Sequence, residues 1–292
     1  MAFFNTGKAL LNLCNSLNIP VSEAVIRYEV EATDNTRETI LERMKVNYEV
    51  MKESIEEGLT KDIKSVSGLI GGEAKKIMEH NRKGLSVCGD IMSKAIYRAL
   101  AVAEVNASMG KIVAAPTAGS CGIIPGALFT VSELLQSPEE EVIKGLFTAA
   151  GIGMIIAKNA TLAGAEGGCQ AECGSASAMA AGAVVELAGG SPEQVLDAAS
   201  IALKNLLGLV CDPVAGLVEV PCAKRNAIGV ANALISAEMA LSGVKSVIPF
   251  DEVVEAMYKV GKSLPYELRE TGIGGLAGTK TALEIRKSIL GY

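Results

Sequence analysis

Residues 165–187 read Ala165-Glu-Gly-Gly-Cys169-Gln-Ala-Glu-Cys173-Gly-Ser-Ala-Ser-Ala-Met-Ala-Ala181-Gly-Ala-Val-Val-Glu-Leu187. Two glycine-flanked cysteines run straight into a segment, from Gly174, of small and apolar residues with a single charge, Glu186. A helix that is apolar all round is covered all round, and small side chains let its neighbours come close. The segments near 138–157 and 192–207 have the same character, with few charges after their first turns. The expectation is a mainly α chain: a compact multi-helix domain with buried apolar helices and Gly/Pro-rich loops.

Composition points the same way. Apolar residues make up 49% of the 292, yet aromatics only 4%, with no Trp and 31 Gly. The core is therefore Ala, Val, Ile, Leu and Met, and strand-favouring residues are thin. The length allows one large or two medium domains. We read residues 1–292 as a single domain with a charged helical part, 1–100, and a buried part, 101–245. The first carries 28 charged residues, 14 of each sign, and the second only 20. The net charge of −6 argues against nucleic acid as a partner. Met1 to Asn18 lacks the apolar run of a signal peptide, so the expected location is cytoplasmic, with no membrane partner. The longest uncharged run, Ile112 to Ser132, is long enough to span a bilayer but holds Pro116, Pro125, Gly119, Gly122 and Gly126. We read it as a buried loop between helix ends.

Helix starts are marked by caps. Asn35, with Glu38 three later, precedes an apolar face of Ile40, Met44, Tyr48, Met51 and Ile55. Ser137-Pro138-Glu139-Glu140 and Ser191-Pro192-Glu193-Gln194 both read as a Ser cap with Pro in the first turn. Helices are also expected at 89–110, Gly174 to Leu187 and Ala223 to Leu241, with short ones opened by Asp251 and Pro265.

Two glycine-rich loops have anion-binding character. Lys64 to Lys76 contains Gly68, Gly71 and Gly72 before a helix, and reads equally as an anion site or a surface entry loop. His80, the only histidine, sits among Glu79, Asn81, Arg82 and Lys83 and reads as a solvated polar face, which leaves a Ser-His-Asp triad without its base. The second loop, Lys111-Ile-Val-Ala-Ala-Pro116-Thr117-Ala118-Gly119-Ser120-Cys121-Gly122-Ile-Ile-Pro125-Gly126, leaves many backbone N–H groups without a regular partner. It is a carboxylate or phosphate nest, or else a tight helix connection. It carries neither a Walker loop nor G-x-G-x-x-G.

Four of the seven cysteines, Cys169, Cys173, Cys211 and Cys222, fall between Asn159 and Asn226, with three, 37 and ten residues between them. That is neither a zinc ribbon nor a ferredoxin run, so any metal site is assembled by the fold. They stand beside Gly, Asp-Pro or Pro, with Glu166, Glu172, Asp212, Lys224 and Arg225 nearby in a sparsely charged region. Cys173 and Cys222 precede helices, whose N-termini favour thiolates. Thiolates with no companion histidine suit an iron–sulfur cluster or a zinc-thiolate site. Cys14 and Cys88 read as core residues.

Three blocks together resemble the signature of iron–sulfur-dependent L-serine dehydratases. They are Ala114 to Gly126, Ala165 to Ala181, and Cys211-Asp-Pro-Val-Ala-Gly-Leu-Val-Glu-Val-Pro-Cys222-Ala-Lys-Arg-Asn226. The resemblance covers essentially the whole chain, which looks like the alpha subunit of the two-subunit form. It implies a [4Fe–4S] cluster held by Cys169, Cys211 and Cys222, with Cys173 outside the ligand set.

The implied reaction is loss of water from L-serine, giving pyruvate and ammonia, with an open iron as Lewis acid for the β-hydroxyl and a base for the Cα proton. No lysine lies in a recognisable pyridoxal phosphate motif. The substrate carboxylate is expected on Pro116, Thr117, Ala118, Gly119 and Ser120, with Arg225 and Asn226 completing the substrate set. Lys64 is the candidate base within the chain. The family's companion domain carries a Ser-Ser-His-Thr motif, so a beta subunit is the expected partner. The alternatives are an iron–sulfur lyase acting on L-cysteine or L-threonine, and a structural metal-thiolate scaffold.

Overall fold

The computed structural model describes residues 3–291, and among them lie thirteen α-helices and no strand. The chain opens with α1 (Gly7–Leu17), α2 (Val21–Thr33) and α3 (Arg37–Thr60). Threonine hydroxyls start two of them: Thr6 accepts the Ala9 N–H, and Thr36 accepts the Thr39 N–H. The expected Asn35 cap is thus displaced by one residue, and the Asn35 amide turns back to the Thr33 carbonyl. A hydroxyl one residue later serves the same orphan donors. The apolar face of α3 is as read, with Ile40, Tyr48, Met51 and Ile55 buried and Met44 packed at its edge.

Two helices, α4 (Glu73–Arg82) and α5 (Gly89–Ala107), follow the first glycine-rich loop. The run from Ile112 to Ser132 departs from expectation. Only its first part is irregular; Ala118–Ser120 is a 3-10 turn, and α6 (Ile123–Leu135) takes the rest. Pro125 and Gly126 stand in the first turn of α6, where a missing N–H breaks no helical bond. The stretch Ala118–Leu135 is apolar and long enough to cross a bilayer, but 61% of it is buried within the fold.

The core helices are α7 (Glu139–Asn159), the four-residue α8 (Gly164–Gly167), α9 (Ser175–Leu187), α10 (Pro192–Lys204) and α11 (Cys222–Leu241). The chain closes with α12 (Phe250–Ser263) and α13 (Lys280–Leu290). Ser191 and Gln194 form the expected capping box of α10, whereas Pro138 rather than Ser137 stands at the cap of α7. There Glu139, Glu140 and Glu141 fill the first turn, where carboxylates meet the positive end of the helix dipole.

Every residue of α9 from Ser175 to Val185 is buried, because α6, α7, α10 and α11 pack around it. The small residues make this enclosure possible. A Cβ on Gly182 would overlap the Ile152 side chain of α7 and press on Val195 of α10. Fixing α9 on all sides also fixes the turn that enters it, which carries the cysteines.

Candidate metal and substrate site

Gln170–Gly174 winds as a π-helical turn between α8 and α9. This wide turn brings the Cys169 and Cys173 sulfurs to 3.4 Å, both buried; such single π turns recur at functional sites. Gln170 pins the turn from beneath. Its Nε2 donates to the Gly167 and Met257 carbonyls at 2.9 and 3.0 Å, and its Oε1 accepts the Gly208 N–H at 2.9 Å. A buried amide with its donors and acceptor all bonded is rigid.

Cys211 arrives from a different segment and is held by the C-terminal region. Its N–H donates to the Leu268 carbonyl at 2.9 Å, and its carbonyl accepts the Glu270 N–H at 2.7 Å. Cys222 is the first residue of α11. Thus Cys169, Cys211 and Cys222 come from three separate segments and are all buried, with the Cys211 sulfur 3.8 Å from Glu172 of the π turn and α11 packed against that turn.

The electrostatics of the centre are uneven. A hydrogen bond from Cys173 holds the Cys169 thiol below its usual range against the effect of burial, helped by the Arg225 charge. The same bond and burial push Cys173 well up. Burial, then the Glu172 and Cys169 charges, raise Cys211, while burial and Cys169 push Cys222 up to about 12. Cys169 is therefore the thiol of this group that the chain makes easiest to ionise, and burial opposes ionisation of the other three. Gly164 adjoins the centre; a Cβ there would lie 2.6 Å from Glu172 Oε2 and 3.1 Å from Cys211 Sγ. Arg269, bridged to Cys211, has a buried Nε with no acceptor. A set of buried thiols without histidine, with a close-packed glycine beside Cys211, fits an anionic iron–sulfur cluster.

The expected substrate loop lies alongside. Thr117 and Ser120 share a hydroxyl contact of 3.2 Å, and the N–H groups of Thr117, Ala118 and Gly119 find no acceptor among the described residues. The loop is tied to α11 by Asn226, which is 1% exposed. Its Oδ1 accepts the Gly122 N–H at 2.9 Å, and its Nδ2 donates to the Gly119 and Cys222 carbonyls at 2.8 and 3.0 Å. Arg225 donates to the Val210 carbonyl and to Asp212 Oδ1, at 2.8 and 2.7 Å. Both side chains therefore brace the centre from α11.

Lys64 is exposed on the 61–72 loop, in a groove with Asp62, Gly71, Glu73 and Lys76 that holds none of the cysteines. Its loop is nonetheless anchored to the third block, because buried Glu219 accepts the Ser65 hydroxyl at 2.6 Å and the Ser67 N–H at 3.2 Å. His80 is exposed, as expected. Cys14 and Cys121 are buried away in the apolar core, with thiols pushed up to about 12 by burial. Cys88 departs from the core reading: it is exposed in the turn before α5.

Two residues without a sequence-assigned role join the site. Glu172 and Glu270 carboxylate oxygens and the Cys211 sulfur lie within 4.8 Å of one another. Burial raises the Glu172 carboxyl, opposed by a hydrogen bond from Thr117 and reinforced by Glu270. Glu172 had a visible signal, a lone charge inside a cysteine motif. Glu270 had none, since it comes from the exposed C-terminal region.

Fold and site define a class: an all-helical protein with buried cysteines beside a loop of unpaired N–H groups. The serine dehydratase alpha chain model matches residues 16–277. The probable L-serine dehydratase alpha chain of Bacillus subtilis is 51% identical over 288 residues, 99% of this chain and 96% of that protein. The L-serine dehydratase alpha chain of Peptoniphilus asaccharolyticus is 50% identical over 286 residues, 98% of each. The L-serine dehydratase of Streptomyces coelicolor is 37% identical over 284 residues, which make up 94% of this chain but 60% of that protein. The chain belongs to the serine dehydratase alpha chain family.

Proposed function

We propose that this chain is the cluster-bearing subunit of a cytoplasmic L-serine dehydratase, which eliminates water from L-serine to give pyruvate and ammonia. The observation that supports it most is that buried Cys169, Cys211 and Cys222, from three segments packed together, lie beside a loop of unpaired N–H groups. These three thiolates would hold a [4Fe–4S] cluster, which supplies a Lewis-acidic iron for a hydroxyl oxygen.

The chain's own residues divide the remaining work. The N–H groups of Thr117, Ala118 and Gly119, with the Thr117 and Ser120 hydroxyls, bind the substrate carboxylate, and Pro116 sets the start of that loop. Asn226 keeps the loop in register with Cys222. Arg225 favours the thiolate of Cys169 and keeps the Cys211 segment in place. The candidate acceptor of the Cα proton within the chain is Lys64, whose loop is anchored through Glu219 three residues before Cys222. A beta subunit covers this face and completes the site.

The test is anaerobic purification with the neighbouring gene products, followed by iron and sulfide analysis and a pyruvate assay with L-serine. Brown protein that bleaches in air and forms pyruvate is the expected result. Colourless zinc protein without turnover overturns the proposal. Faster elimination from L-threonine or L-cysteine moves the substrate assignment.

A further inference from the structure

An amino acid presents its α-carboxylate and α-ammonium from one carbon, so the groups that hold them must stand a few ångströms apart. The loop at Thr117 to Ser120 offers donors alone, and a site built only of donors would bind any small carboxylate. The structure places one carboxylate against that loop. A Cβ on Gly119 would lie 3.6 Å from Glu172 Oε1 and 3.8 Å from Thr117 Oγ1, so the carboxylate stands beside the loop. Glu172 is half-buried, and no Lys or Arg nitrogen stands within ion-pair distance of it among the described residues. Arg225, a cation that acts on it, is bound to Asp212 and the Val210 carbonyl. On its other side lie the Cys211 sulfur, at 3.8 Å, and the Glu270 carboxylate. A half-buried carboxylate without a counter-charge, beside a loop of donors, is placed to receive a cation.

Resting on the serine reading above, we propose that Glu172 receives the α-ammonium group of the substrate and makes the site selective for amino acids over other small carboxylates. Glycine at 164 keeps this position open, because a Cβ there would press on Glu172 Oε2.

The test uses the assembled, cluster-loaded enzyme and two competitive inhibitors of serine turnover, L-alanine and propionate, which differ by the ammonium group. L-Alanine is expected to bind about tenfold tighter or more, the value of one charge-assisted hydrogen bond. In Glu172→Gln that preference collapses to about twofold or less, with KM for serine raised and iron content unchanged; Glu172→Asp retains part of it. Equal inhibition of the unaltered enzyme by the two compounds overturns the inference without any variant. A fall in kcat in Glu172→Gln with the alanine preference intact also overturns it and assigns the carboxylate to proton transfer. Absence of serine turnover and of inhibition by either compound overturns the serine reading itself, and this inference with it.

Discussion

The Arg225 guanidinium donates to Asp212 at 2.7 Å with both side chains nearly closed to solvent, at 11% and 4% exposure. Asp212 also accepts the Leu276 N–H at 2.7 Å, so one carboxylate joins the start of α11, the residue after Cys211 and the C-terminal region. Buried pairs of this kind stabilise little relative to apolar packing, but removing one partner strands the other charge. Arg225→Ala is expected to lower unfolding free energy by about 3–5 kcal/mol in anaerobic denaturant titrations. Arg225→Met combined with Asp212→Asn is expected to recover part of that loss.

Asn226 acts on the same helix through a neutral amide. In Asn226→Ala the Gly122 N–H and Gly119 carbonyl lose their partner, at a cost of about 1–3 kcal/mol in stability. Because the freed loop carries the proposed carboxylate site, KM for serine is expected to rise more than kcat falls. Steady-state kinetics check the division, and a change confined to kcat would refute the loop assignment.

Cysteine replacements separate the proposed ligands from bystanders. Ser in place of Cys169, Cys211 or Cys222 is expected to leave only a small fraction of the wild-type iron per chain. Cys121→Ser is expected to keep it, because that thiol is enclosed beside the Val102 carbonyl in the core. Iron analysis of anaerobic preparations decides; full iron in any of the first three variants removes that residue from the ligand set.

These residues differ in how readable they were. The small-residue pattern of 174–187 announced an enclosed helix because burial on all sides needs exactly that composition, and three cysteine motifs stood out in a sparsely charged region. What could not be read was the pairing of Cys211 with Leu268 and Glu270, a backbone contact across more than fifty residues with no side-chain signature. Glu270 enters the site only through that contact. The α6 start was misjudged for a simpler reason: Pro125 and Gly126 break a helix in its middle but are tolerated in its first turn. Cys88 was misplaced because cysteine is usually buried, while this one occupies a turn.

Glu104 gives the stability a pH signature. It is buried on α5, accepts the Ala74 N–H at 3.1 Å, and has its carboxyl raised to about 7 by burial and by the neighbouring Glu73, itself 3.6 Å from Lys224. Below the ordinary value of 4.5 the folded and unfolded chains both hold this proton. Between 4.5 and about 7 only the folded chain holds it, so its contribution is lost as pH rises through that window. Glu104→Gln is expected to remove this slope, so that the difference in melting temperature between variant and parent grows in the variant's favour from about pH 5 to about pH 8. A constant difference across the window would exclude the titration.

The last prediction concerns the partner. Apolar side chains rim the cysteine site: Val218, which packs toward Gly119, together with Tyr266, Ile273 and Leu276 of the region that clamps Cys211 and Asp212, are all exposed. Exposed apolar groups gathered around a functional centre mark a surface that another protein covers. The Streptomyces coelicolor protein is longer, the matched part making up 60% of it. The only histidine here is exposed on α4, and Lys64, the candidate base, is exposed in a groove that holds none of the cysteines. The chain alone is therefore expected to bind iron but turn serine over poorly, with pyruvate formation rising to a plateau as purified beta subunit is added. Ile273→Lys with Leu276→Lys is expected to shift that titration to higher beta concentration while leaving iron content intact. Full activity without added partner would show that every catalytic group, Lys64 included, already resides in this chain.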